Sequence, residues 1–162
     1  MRRYLAAILG VAGLFVAGGA GAEVLQRYST GSWVVEANAD NGAFQNCTAT
    51  GQYGGGASVL FMLTRGLVWG IAITNPNWNW RNGSEGGVTY WIDSNGRRNG
   101  RARALAANRL LIPLADSQQL FHEIRQGNRM FFEPEGASGF SITLVGTSVA
   151  LNELMACVRR YR

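Results

Sequence analysis

From Trp33 to Leu114 the apolar positions of this chain fall in short alternating runs, and after that they take a helical spacing twice. Ser32-Trp33-Val34-Val35-Glu36-Ala37 reads as the first strand, entered from a Ser29-Thr30-Gly31 turn and left through a polar turn at 38–42. Residues 44–53 alternate loosely, Phe44, Asn46 and Thr48 against Gln45, Cys47 and Ala49, which places Cys47 mid-strand. Gly54-Gly55-Gly56 makes a hairpin tip, and 57–65 and 67–74 are two β-rich runs split by Arg65-Gly66. A long loop spans 75–87, a strand follows at 88–92, and Asp93-Ser94-Asn95-Gly96 carries the Asn-Gly hairpin signal. Two more short strands are expected at 100–107 and 109–114.

The period then changes. Asp116 is placed to cap a helix, with Gln119 in the capping-box position and Gly127 as the stop; Leu120 and Ile124 face the core. Strands are expected at 129–133 and 140–144, and 147–160 is the clearest helix, with Ala150, Leu151, Leu154, Cys157 and Val158 on one face. The sum is a mainly β fold, a β-sandwich or open barrel of about eight short strands, with two helices, one of them C-terminal.

The N-terminus follows another logic. Met1-Arg2-Arg3-Tyr4 is a short positive segment, 5–16 is almost wholly apolar, and Ala20-Gly21-Ala22 supplies the small residues a signal peptidase needs. Residues 1–22 are therefore expected to be a signal peptide cleaved between Ala22 and Glu23, leaving one β-rich domain at 23–162. The apolar stretch is short for a membrane span and is diluted by Gly10, Gly13, Gly18 and Gly19. No stable membrane span is expected after cleavage, and the product should be periplasmic or secreted.

Composition narrows the function. A hydrophobic content of 47% excludes a disordered chain. All fifteen basic residues are arginine, and beyond the signal thirteen face ten carboxylates, a mild excess that does not call for nucleic acid. Cys47 and Cys157 form an isolated pair, which in an oxidising compartment is most simply a structural disulfide joining a strand to the terminal helix. There is no Cys-x-x-Cys, one histidine cannot complete a zinc shell, and no cofactor is expected.

Candidate chemistry is sparse. His122 has Glu123 as its sequence neighbour, but no serine sits in a Gly-x-Ser-x-Gly elbow. The glycine run at 51–56 lacks the Gly-Lys-Ser/Thr ending of a phosphate loop. Asp93 and Asp116 flank a predicted turn and a predicted cap, where aspartate already has structural uses. The most suggestive segment is Asn75-Pro76-Asn77-Trp78-Asn79-Trp80-Arg81-Asn82-Gly83, two tryptophans among amides beside an arginine. It suits a sugar or protein surface, and equally a lid folded back over the barrel mouth. Trp33, Trp69 and Trp91 lie inside predicted strands and are expected in the core. Arg97, Arg98, Arg101 and Arg103 crowd one hairpin, either to meet an anionic partner or to keep a solvated edge from aggregating.

The order of motifs resembles a known family. A signal peptide precedes the Gly31-Ser32-Trp33-Val34-Val35 strand. Later come Leu120-Phe121-His122-Glu123-Ile124-Arg125-Gln126-Gly127 and Phe140-Ser141-Ile142-Thr143-Leu144-Val145-Gly146-Thr147-Ser148. This pattern is similar to the small exported alphaproteobacterial proteins of the invasion-associated locus B type. That family often has a cysteine four residues after the tryptophan of its first strand, where this chain has Ala37. The resemblance implies a compact exported β domain and transfers no catalytic residue.

The expectation is a non-enzymatic exported binding protein with a protein or glycan partner in the cell envelope or outside the cell. Trp78, Trp80 and Arg81 are the first candidates for its surface, and the four hairpin arginines the second. A periplasmic inhibitor of a hydrolase or protease, and a hydrolase using paired carboxylates, are the alternatives.

Overall fold

A computed structural model describes residues 22–162. The expected signal peptide lies outside the described residues except for Ala22, where the first strand begins. The elements are β1 (Ala22–Thr30), β2 (Trp33–Asp40), β3 (Ala43–Gln52), β4 (Ser58–Thr64), β5 (Trp69–Thr74), β6 (Glu85–Ile92), β7 (Arg98–Ala106), β8 (Arg109–Pro113), α1 (Gln118–Gln126), β9 (Arg129–Pro134), β10 (Phe140–Thr143) and α2 (Thr147–Tyr161). The ten strands form one sheet in the order β1-β2-β3-β4-β5-β8-β7-β6-β9-β10, antiparallel throughout. The fold is mainly β, with two helices, one C-terminal.

One face of the sheet is the core. Paired residues on it run Ala49 to Phe61 to Ile71 to Ile112 across β3, β4, β5 and β8, and Tyr90 to Phe132 to Phe140 across β6, β9 and β10. Both helices press on this face: Leu120, Ile124, Leu151 and Leu154 are buried with Phe61, Ile71, Ile112 and Met130. The sheet also curls. The Tyr53 hydroxyl, just beyond β3, donates to the Thr143 carbonyl at 2.7 Å, and Trp33 Nε1 donates to the Val145 carbonyl at 3.3 Å. The start of β2 thus meets the chain beyond β10, as in an open barrel with α2 laid along β1 to β4.

Four expectations change. β1 is an addition to the expected strands: its aliphatic residues Val24 and Leu25 are both exposed, and the positions that turn inward are Gln26, Tyr28 and Thr30, so no apolar alternation marks it. It is an edge strand on β2, tied to α2 where Arg160 Nη1 and the Tyr161 hydroxyl both donate to Gln26 Oε1. The alternation in β3 breaks because Gln45 is a bulge: Asn38 pairs with Asn46 but Ala39 pairs with Phe44. Phe44 and Cys47 therefore share the buried face although they are three positions apart. The first helix is capped by Ser117, whose extended backbone lets Oγ accept the Leu120 N–H at 3.2 Å; Asp116 is one residue early, and Gln119 turns to Glu123 instead. Lastly, Trp91 is not core. Val88, Tyr90 and Ile92 take the inward positions of β6, and Trp91 lies outside, stacked on Phe131 at 5.2 Å with the Arg97 guanidinium 3.9 Å above its ring.

Gly127 ends α1 for a steric reason. A Cβ there would collide with the Ile92 side chain and lie 2.8 Å from the Glu123 carbonyl oxygen, so only glycine lets α1 close on β6.

The curl predicts an alkaline weakness. Burial raises the Tyr53 hydroxyl above the ordinary tyrosine value of 10.0, and burial with the Glu153 carboxylate beside it raises Tyr28. Above that value the unfolded chain gives up protons that the folded chain still holds, so stability is intact below pH 10 and falls as pH rises beyond it. Denaturant unfolding between pH 8 and pH 11.5 should show this decline, with a shallower slope in Tyr53→Phe.

Candidate functional site

The tryptophan loop owes its length to topology. Between β5 and β6 the chain skips two strand positions, and the β7–β8 hairpin later fills the gap. Residues 75–84 must therefore cross the end of that hairpin. They do so on backbone bonds: Asn75 N–H to Asn108 O, Trp80 N–H to Ala107 O and Gly83 N–H to Ala104 O. Trp78 is half-buried, its ring 4.8 Å from Phe140, which stacks on Phe132 at 4.9 Å. Trp80 meets Trp78 edge-on at 6.0 Å, and its Nε1 is buried without a hydrogen-bond partner among the described residues. Both indoles thus rest on the barrel end and leave a remainder of their surface outside, while Arg81 is exposed beside them.

The four hairpin arginines separate into two kinds. Arg97 pairs with Glu133 at 2.6 Å and covers Trp91. Arg98 turns inward, and its guanidinium grips Glu123 of α1 with two bonds of 2.8 and 2.9 Å. Neither is free for a partner. Arg101 and Arg103 lie on the outer face further along β7 and share one carboxylate, Glu85, at 3.6 and 3.9 Å. On neighbouring β8, the Arg109 side chain donates to the Thr74 hydroxyl at 3.0 Å and forms no ion pair among the described residues. The loop carrying Arg81 bonds to β7 through the Gly83 N–H and the Ala104 carbonyl. Arg101 and Arg103 of β7 and Arg109 of β8 lie on one outer face of the sheet, Arg81 is carried by the loop that crosses this end of it, and Arg97 and Arg98 are engaged elsewhere. The cross-strand pairing Thr74 to Arg109, which only the sheet order reveals, made Arg109 invisible in the sequence.

Of the two acidic candidates, Asp93 serves the fold. The Asp93 carboxylate accepts the backbone N–H groups of Asn128 and Arg129 at 2.9 and 3.0 Å, holding β9 to the end of β6. Asp116 is exposed on the wall of a cavity of about 400 Å³ between the β4–β5 turn, α1 and α2. Leu63, Leu67, Trp69, Phe121, Leu154 and Met155 line it, with His122 and Arg125 on the α1 side. His122 is exposed, and no group of three potential metal ligands occurs among the described residues. Cys47 on β3 and Cys157 on α2 are joined, with Cα atoms 6.2 Å apart.

No helix among the described residues is long and apolar enough to cross a membrane. No family model matches the chain. No curated protein matches it in sequence. Among solved structures, invasion associated protein B from Bartonella henselae superposes with a TM-score of 0.62 at 17% identity, over 85% of this chain and 99% of that one. The motif order of the sequence and the course of the backbone thus agree on one result: this chain has the fold of an invasion-associated protein B.

Proposed function

We propose that this chain is an exported, non-enzymatic binding protein of the bacterial periplasm or cell exterior, released by cleavage between Ala22 and Glu23, which holds an acidic protein or glycan. The observation that carries the proposal is the outer corner of β7 and β8, where Arg101, Arg103 and Arg109 share one face, with Glu85 as the one carboxylate among the described residues within 4.0 Å of Arg101 or Arg103, beside the loop that carries Arg81. Exposed cations beside a partly open tryptophan pair are a surface that attracts negative charge and offers flat apolar contact. The buried disulfide supports export, since such bonds persist in oxidising compartments.

The experiment has two stages. The protein recovered from the periplasm and culture medium of its host is weighed intact without reductant; it should begin at Glu23 and lack the two thiol hydrogens. That material is then titrated on immobilised alginate and heparin at rising salt. Arg81→Ser with Arg101→Ser and Arg103→Ser should weaken retention about tenfold, with a shallower salt dependence, whereas Arg97→Ser should change little. Equal losses in both variants would remove the outer corner as the contact surface, and an uncleaved chain with free thiols would remove export.

A further inference from the structure

The cavity between the β4–β5 turn, α1 and α2 belongs to none of the surfaces above. We infer that it receives the hydrocarbon tail of a single-chain amphiphile whose carboxylate head pairs with Arg125. Its volume of about 400 Å³ lies within the ~300–1,000 Å³ that small-molecule pockets span, and its lining is apolar with a few polar groups, the usual make-up of such sites.

The head group follows from Arg125. This residue is half-buried in the last turn of α1, 5.8 Å over the Phe121 ring. Its Nε is buried and has no hydrogen-bond partner among the described residues, and its guanidinium forms no ion pair there. A guanidinium on the cavity wall with no carboxylate partner among the described residues is open to one from a ligand, and a carboxylate is the acceptor whose two oxygens match the guanidinium fork. Asp116, the one carboxylate among the lining residues, is exposed and forms no ion pair with Arg125.

The tail follows from the mouth. Leu67 adopts φ 63°, a left-handed conformation uncommon for a residue with a branched side chain. The turn so formed leaves Leu67 and Val68 38% and 63% exposed, with Leu67 also on the cavity wall. An apolar track thus runs from the solvent to Trp69 and Leu154 inside. Backbone strain held at a cavity entrance is the kind of outlier that marks ligand sites.

The test uses the mature, disulfide-bonded protein and calorimetric titration with laurate, dodecanol and dodecyltrimethylammonium, each below its micelle concentration. Laurate should bind saturably at one site and more tightly than dodecanol, with the ammonium amphiphile weakest. Arg125→Gln should lower laurate affinity about tenfold or more, to the level of dodecanol, while dodecanol binding and the thermal midpoint stay unchanged. Arg125→Lys should restore part of the difference, and the outer-corner arginine variants should bind laurate as the unaltered protein does. Absence of saturable laurate binding, equal binding of the three head groups, or an Arg125→Gln protein indistinguishable from the original would each overturn the inference.

Discussion

Replacing Cys47 and Cys157 together by alanine should lower the unfolding free energy by about 4 kcal/mol, most of it through the unfolded chain. The bond joins residues 110 apart in sequence, and in the chain-entropy account a loop of about 100 residues restricts the unfolded ensemble by roughly 4.7 kcal/mol at 25 °C. Both cysteines are buried, Cys47 between Ala37 and Leu63 on the sheet and Cys157 on the inward face of α2. Alanine keeps these positions apolar, so the folded state loses little packing. Urea unfolding of the oxidised protein, the same protein after reduction, and the double variant separates the contributions. The last two should agree within about 1 kcal/mol and unfold with a larger m-value, because an uncrosslinked chain exposes more surface. A loss below about 1 kcal/mol would mean that packing alone holds α2 on the sheet.

The second large effect is expected at Arg98→Met. The Glu123 side chain is only 8% exposed and depends on Arg98 for two of its hydrogen bonds, with Gln119 Nε2 supplying a third at 3.0 Å. Removing the guanidinium leaves a buried carboxylate with one neutral partner, a change that typically costs about 3–5 kcal/mol. Arg98→Met combined with Glu123→Leu should recover most of that loss, since two apolar side chains of similar volume replace a pair whose attraction is largely offset by desolvation. Denaturation of the original, both single variants and the double variant forms a closed cycle whose coupling energy is the observable. Additive losses would show that the pair does not join the β6–β7 hairpin to α1. Arg97→Met should show no comparable effect, because its pair with Glu133 is more than half exposed on both sides.

These two pairs illustrate how differently neighbouring residues of one motif are used. In the sequence Arg97 and Arg98 stand alike beside Arg101 and Arg103 in a basic hairpin. Alternation along β7 turns Arg98 inward under α1 and leaves Arg101 and Arg103 outward beside Glu85. No pattern of local spacing encodes that α1, twenty residues later, would deliver a carboxylate to the inner position. The tryptophan loop carries the same lesson. Its composition suggested either a surface or a lid; its position decides that Trp78 rests on Phe140 while Arg81 stays outside, because the loop has to cross the β7–β8 hairpin.

What the sequence by itself determined was whatever depends on local periodicity and turn chemistry. The inward face of α2, the hairpin tips at Gly54-Gly55-Gly56 and Asp93-Ser94-Asn95-Gly96, the mid-strand place of Cys47 and the β5–β6 loop all follow from side chains a few residues apart, and the structure keeps them, except that residues 85–87 of the expected loop extend β6 by pairing with β7. Tertiary structure decided the rest. It made a strand of 22–30, an edge segment whose only strong preference is for the free backbone groups of β2. It let a one-residue bulge at Gln45 set which side of β3 is buried, and it turned Trp91 outward because Tyr90 and Ile92 had claimed the core. It also assembled both candidate sites: the pairing of β7 with β8 puts Arg109 on the same outer face as Arg103, and Arg125 comes to line one cavity with Leu67 and Leu154 only when two helices close over a hairpin turn. Local pattern specifies which groups seek burial; which distant groups they are buried against depends on the order in which strands pair, and that order is a property of the whole chain.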